Sequence, residues 1–227
     1  MMFRARTTLG AAQYQRKERP MDIIKKSMKD QIYDLLRERI LGGQYKFGDK
    51  INILTLSTEL GVSNTPIREA ISMLERDGLV KVTPNAGPRV IEYSPALFRQ
   101  VEKAMETLIL GALEHNVSLD RLEKLVKLLD ASLKSQEKSY NSRNYHKYIQ
   151  DSLGFDSCFI KCASNPFLDK MYREIYDIFY LVTLYDHEQN ESERLNIINE
   201  HRDILEAIRA EDIPAARSLI IKHYHKM

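Results

Sequence analysis

Glycine and proline are scarce in this chain: nine and seven in 227 residues. Both interrupt regular structure, so their scarcity leans the chain toward helix. Cysteine is scarcer still, with only Cys158 and Cys162. They stand four apart on one predicted helix and form no disulfide framework, which points to a reducing, cytoplasmic setting. No apolar run approaches the ~20 residues that a membrane helix needs. The longest, Ile178 to Tyr185, spans eight, so no membrane contact is expected. Enzyme signatures are missing too: the chain has no Gly-rich phosphate loop, no HExxH and no G-x-S-x-G elbow.

What is present is an ordinary globular balance, 43% hydrophobic and 29% charged. The charge is unevenly spread. Residues 1–94 hold 16 Lys and Arg against 11 Asp and Glu; residues 95–227 hold 18 against 21. A basic front and an acidic back suggest two modules, the front one meeting a polyanion. Residues 1–21 carry Arg4, Arg6, Arg16, Lys17 and Arg19 but lack the apolar core of a secretory signal. They read as a disordered basic extension.

Ile24, Met28, Ile32, Leu35, Leu36 and Ile40 share one helical face, which ends at Gly42-Gly43. Asn52 opens a second, short helix with Leu54, Leu56 and Leu60, stopped by Gly61. Ile67, Ala70, Ile71 and Leu74 form the apolar stripe of a third. Ser63 or Thr65 caps that helix, the latter with Pro66 at the favoured first position. Two short runs around Pro84-Asn85-Ala86-Gly87 then read as a β-hairpin. Together, residues 22–93 describe a winged helix-turn-helix. Such a unit lays its second motif helix in the DNA major groove. The outward side of that helix offers Asn64, Thr65, Arg68 and Ser72. Arg68 suits guanine O6 and N7, and Asn64 suits adenine. Lys81 and Arg89 flank the wing.

The run LGVSNTPIREAISMLERDGLVKVTPNAGPRV resembles the GntR family of bacterial transcription regulators, over Ile32 to Val90. The resemblance implies that Thr65 and Arg68 contact operator DNA, that Ser63 helps hold phosphate and that Gly87 marks the wing tip. Asn64 stands where the family usually has arginine, which implies a shifted operator preference or one phosphate contact fewer.

From residue 94 to 227 the pattern is helical throughout. Six amphipathic stripes follow one another, the third over 142–163, the fourth from about Leu168 to Tyr185, the fifth starting in the ESER segment. They predict an antiparallel bundle, a natural host for ligands and metals. The whole chain is thus expected to be mostly α, with one small β-hairpin. The segments DSCFI…SNPFL (156–168) and NEHRDILEAIRAEDIPAAR (199–217), with the late His223, resemble the FCD effector domain of FadR-like regulators in the same family.

That resemblance implies a divalent metal such as Zn or Ni, held by an aspartate, a histidine four residues on and two later histidines. The matching positions are Asp156, Ile160, His201 and His223. Ile160 cannot ligate, so three ligands remain. Asp156 and Ile160 share a helix face, while the two cysteines point elsewhere. The family's effectors are commonly small organic acids, paired with an arginine. Glu102 occupies that arginine's place. Glu102, Tyr148, Ile160 and Tyr176 are the candidate pocket residues.

The reading that follows is a ligand-responsive regulator, a repressor, which binds a palindromic operator as a homodimer. One alternative is a metal-dependent enzyme built on Asp156, His201 and His223. Another is a helical metabolite-binding adaptor whose winged helix contacts protein.

Overall fold

A computed structural model describes residues 26–189 and 193–225. The basic extension 1–21, Ile24 of the first stripe and the first half of the ESER segment lie outside them.

Three helices form the head: α1 (Met28–Leu41), α2 (Ile53–Leu60) and α3 (Asn64–Arg76). The starts follow from capping. Ser27 and Asp30 close a capping box on α1, and the Asn52 side chain accepts from the Leu54 and Thr55 amides on α2. Gly61 ends α2 in the left-handed region, at φ 64°, where a side chain would be strained. Ile32, Leu36, Ile40, Leu56, Ile67, Ala70, Ile71 and Leu74 meet in one buried core.

The wing pairs β1 (Val80–Thr83) antiparallel with β2 (Gly87–Val90), in register Val80↔Val90 and Thr83↔Gly87. Its base is stitched to the segment before α2: Ile51 N donates to Pro88 O at 3.0 Å, and Val90 N to Asp49 O at 2.9 Å. The turn itself is Pro84-Asn85-Ala86, with Asn85 at φ 64°. Gly87 therefore sits at the first rung of β2, just behind the tip.

Six helices make the second layer: α4 (Pro95–Ser118), α5 (Leu122–Asn141), α6 (Tyr145–Ala163), α7 (Pro166–Gln189), α8 (Glu193–Arg209) and α9 (Ile213–Tyr224). Helix α7 starts earlier and ends later than the apolar stripe alone predicts. Asn165 Oδ1 accepts from the amides of Phe167 and Leu168, and Pro166 occupies the first turn, where its missing N–H costs nothing. The break between α6 and α7 is Ser164, at φ 50°. The C-terminus of α6 is held by Arg121, whose guanidinium donates to the carbonyls of Cys162 and Ala163 at 3.0 and 2.6 Å. Helix α6 is the most deeply buried element, with Tyr148, Ile149, Phe155, Asp156, Phe159 and Ile160 all inside. Among the described residues, no helix is long and apolar enough to cross a membrane.

The two layers touch through α7. Leu181, 5% exposed, belongs to the core of the head rather than to that of the bundle. Arg37 on α1 pairs in a two-pronged fashion with Asp177 on α7, which is buried. Phe47, Tyr93 and Tyr185 form an aromatic contact at the junction, with Tyr93 and Tyr185 centroids 4.3 Å apart.

Candidate functional site

Helix α3 presents Ser63, Thr65, Arg68 and Ser72 to solvent, while Ile67, Ala70, Ile71 and Leu74 face the head core. Ser63 occupies the cap position, so the helix starts there and not at Thr65. Its side chain makes no capping hydrogen bond, and the first turn has no acidic residue. The first-turn amides and the helix dipole thus favour an anion at this end. Asn64 departs from its expected outward place. It is half-buried, with its Oδ1 turned inside, because it precedes Ile67 by one turn and leans toward the core side. Arg89 is exposed on the wing, and its Nη1 donates to the Gly48 carbonyl at 2.9 Å. Lys81 is exposed on the opposite strand.

In the bundle, Asp156 from α6, His201 from α8 and His223 from α9 converge. Each offers a ligand atom, and these atoms all lie within 4.8 Å of one another. No other such trio occurs among the described residues. Asp156 and His201 are buried and His223 is half-buried. The rings are oriented from behind. His201 Nδ1 lies 2.8 Å from Gln136 Oε1, and His223 Nδ1 lies 2.8 Å from Glu200 Oε2. An acceptor at Nδ1 fixes the proton there and makes Nε2 the metal-capable atom, the arrangement found behind ligating histidines. Phe155 stacks on His201 at 4.1 Å and locks its plane. Burial pushes the Asp156 carboxyl up to about 6; His223 and the neighbouring Tyr224 hydroxyl pull it back.

One carboxylate and two imidazoles suit a zinc- or nickel-class ion with an open position. The trio borders a cavity of about 400 Å³, with Asp156 and His223 forming part of its wall. Five helices line it. Phe98 and Glu102 come from α4, Ser152 and Leu153 from α6, and Phe179, Thr183, Asp186 and His187 from α7; α8 adds Glu193 and Ile197, and α9 adds Tyr224.

Of the four pocket residues expected from the sequence, the structure brings Glu102 to this cavity. The other three lie elsewhere. Tyr148 is buried, donates its hydroxyl to the Arg194 carbonyl at 2.8 Å and lines a separate hollow. Ile160 lines a groove between α6 and α7, together with Tyr176. The turn of α6 that separates Ile160 from Asp156 carries it past the metal trio, toward α7. Sequence reasoning missed Thr183, Asp186 and His187 on α7. Their helix is amphipathic on two sides, so no stripe says which side faces the cavity. The cysteines do point away: Cys158 Sγ reaches the Leu128 and Gly154 carbonyls, and Cys162 Sγ the Arg121 carbonyl.

Comparison with known proteins follows this division. Residues 28–90 match "Bacterial regulatory proteins, gntR family", and residues 98–226 match the FCD domain. The chain belongs to the gntR family of regulators with an FCD domain. The HTH-type transcriptional regulator YdhC of Bacillus subtilis (strain 168) is 26% identical over 196 residues, covering 86% of this chain and 87% of that protein. The gluconate operon transcriptional repressor of the same organism is 24% identical over 198 residues, covering 84% and 78%. A transcriptional regulator from Rhodococcus sp. RHA1 superposes with a TM-score of 0.69 at 18% identity, covering 88% of this chain and 94% of that one; it shares the fold. This GntR/FCD chain is accordingly a ligand-responsive, DNA-binding transcription regulator and not an enzyme.

Proposed function

We propose that this GntR/FCD regulator is a homodimeric repressor, in which ligand binding beside Asp156, His201 and His223 repositions the DNA heads through α7. The observation that carries the reading is the two-sidedness of α7. One side, Phe179, Thr183, Asp186 and His187, walls the cavity. The other side, Asp177, Leu181 and Tyr185, grips the head through Arg37, the head core and Phe47. A small rotation or shift of α7 is therefore felt at both ends, as a coupling element requires.

On the DNA side, Arg68 and Thr65 read base edges, Ser63 and the first-turn amides of α3 hold phosphate, Ser72 sits deeper along the groove, and Arg89 and Gly87 bring the wing to the backbone. Asn64 contributes through its half-buried position at the helix start. Two copies on two half-sites account for a palindromic operator. The resemblance to the gluconate operon repressor supports the sign of control.

In the bundle, Asp156, His201 and His223 would hold the metal, with Gln136 and Glu200 orienting the rings. The ion would supply a Lewis-acidic anchor for one polar group of the effector. The test is a pair of measurements on full-length protein. A duplex selected from a random library should show two-fold symmetry, and its affinity should fall in Arg68→Ala. Selection of an asymmetric single half-site bound by a monomer would refute the homodimer.

A further inference from the structure

The wing is wider than its hairpin. Lys50, in the segment before α2, forms an antiparallel bridge with Arg89 on β2. Two backbone hydrogen bonds flank that bridge, Ile51 N to Pro88 O and Val90 N to Asp49 O. On its other edge Arg89 pairs with Lys81 of β1. Residues directly opposite one another in a sheet share a face. Lys81, Arg89 and Lys50 therefore stand in one row across three adjacent segments. All three are exposed, while their chain neighbours Val80, Pro88, Val90 and Ile51 are buried.

The row contains no counter-charge. Among the described residues none of the three forms an ion pair; Arg89 donates one N–H to the Gly48 carbonyl. The nearby acids Asp49 and Glu75 accept from backbone amides, those of Lys46 and Val82. Like charges set opposite one another destabilise a sheet, so such a row points to an anion that answers it. Lys50 is also held in place. Its backbone is tied to β2, and its Cε lies 3.9 Å from where a Cβ on Gly87 would stand. Gly87, at φ 81°, lacks that atom and leaves the stem of Lys50 room beside the wing.

We infer that Lys50, Arg89 and Lys81 form one cation rung that grips consecutive phosphates of the operator backbone, with Lys50 a DNA-contact residue outside both the recognition helix and the hairpin. The inference rests on the reading that the wing meets DNA. Neighbouring strands lie about 4.8 Å apart, so the row spans about 10 Å. One DNA strand rises about 3.4 Å per phosphate, so that span covers about three of them. Arg89 offers a planar fork, and the two lysines act as point charges on either side of it. Phosphates carry no sequence information. The rung therefore adds affinity for any duplex and fixes the register in which α3 reads bases.

The test measures the affinity of full-length protein for the selected duplex and for an unrelated one, by fluorescence anisotropy over a range of salt. Lys50→Gln keeps the stem and removes the charge. It should weaken both duplexes by the same factor, about fivefold at about 0.15 M salt, and make the log–log salt slope shallower by about one unit. Lys50→Arg should restore both. The melting temperature of Lys50→Gln should not fall, because a like charge has left the row. Single methylphosphonates, each neutralising one phosphate, are then scanned along the selected duplex. At one position Lys50→Gln should cost no further affinity. An unchanged slope in Lys50→Gln, a loss confined to the selected duplex, or no such position in the scan overturns the rung. Lys81→Ala and Arg89→Ala separate it from the reading beneath it. If they shift the slope and Lys50→Gln does not, the rung fails and the wing contact stands. If none of the three shifts it, the wing itself does not meet DNA.

Discussion

Arg68 is an exposed guanidinium on a helix whose other side is locked into the head core. It has no structural duty in the head, so its removal tests DNA reading with little effect on folding. Arg68→Ala should lower affinity for the selected duplex by about 1–3 kcal/mol, measured by fluorescence anisotropy, with the melting temperature unchanged. Asp156 has the opposite character, being buried and held above its usual range. Zinc added to the apo protein should raise its melting temperature in proportion to the logarithm of zinc concentration. Asp156→Ala should abolish that rise and leave no stoichiometric metal in elemental analysis. A third residue, Cys158, is buried and its thiol is pushed up to about 11 by burial. The folded chain keeps this proton where the unfolded chain, near 9, loses it. Its contribution to stability therefore fades as pH rises from about 9 to about 11. At pH 8 the native thiol should react with a disulfide reagent far more slowly than the same thiol in denaturant.

Helix α7 is where the proposed coupling places the meeting of sensing and reading. Its clasp with α1 sets a mostly buried carboxylate, Asp177, against Arg37. Arg37→Ala strands that charge and should cost about 1.5–3 kcal/mol of stability, read from denaturant titration. Asp177→Asn keeps the shape and loses the ion pair. In both variants the head should still bind DNA, because the α3 face is untouched. What should change is the ligand-induced difference in DNA affinity, which should shrink toward none. An undiminished response in both variants would mean that the signal leaves the bundle by another route.

At the scale of the molecule, two features bear on assembly and encounter. The proposed DNA face carries Arg68, Lys81 and Arg89 on exposed positions, while residues 95–227 are acidic overall. DNA affinity should fall steeply and linearly on a log–log plot of salt concentration, with a slope that becomes shallower by about one unit when Lys81 or Arg89 is replaced by alanine. Sedimentation of protein with selected duplex should give two chains per duplex.

The parts legible in the sequence were those governed by local rules. Ile67, Ala70, Ile71 and Leu74 define which side of α3 is buried, and hence which side carries Thr65 and Arg68, because helical spacing alone separates the two faces. Asn52 and Gly61 mark helix ends through side-chain capping or a left-handed turn, both decided within a few residues. The Asp156, His201 and His223 trio was legible only through its resemblance to a family pattern, since 45 and 22 residues of chain separate its members. The tertiary structure alone decided what surrounds that trio. Asn64 turns partly inward, and Tyr148, Ile160 and Tyr176 line other hollows, because small rotations of packed helices redirect side chains that share a face on paper. Thr183, Asp186 and His187 enter the cavity because Leu181, two residues before Thr183, is captured by the head core. That contact lies between residues far apart in the chain, and no local pattern encodes it.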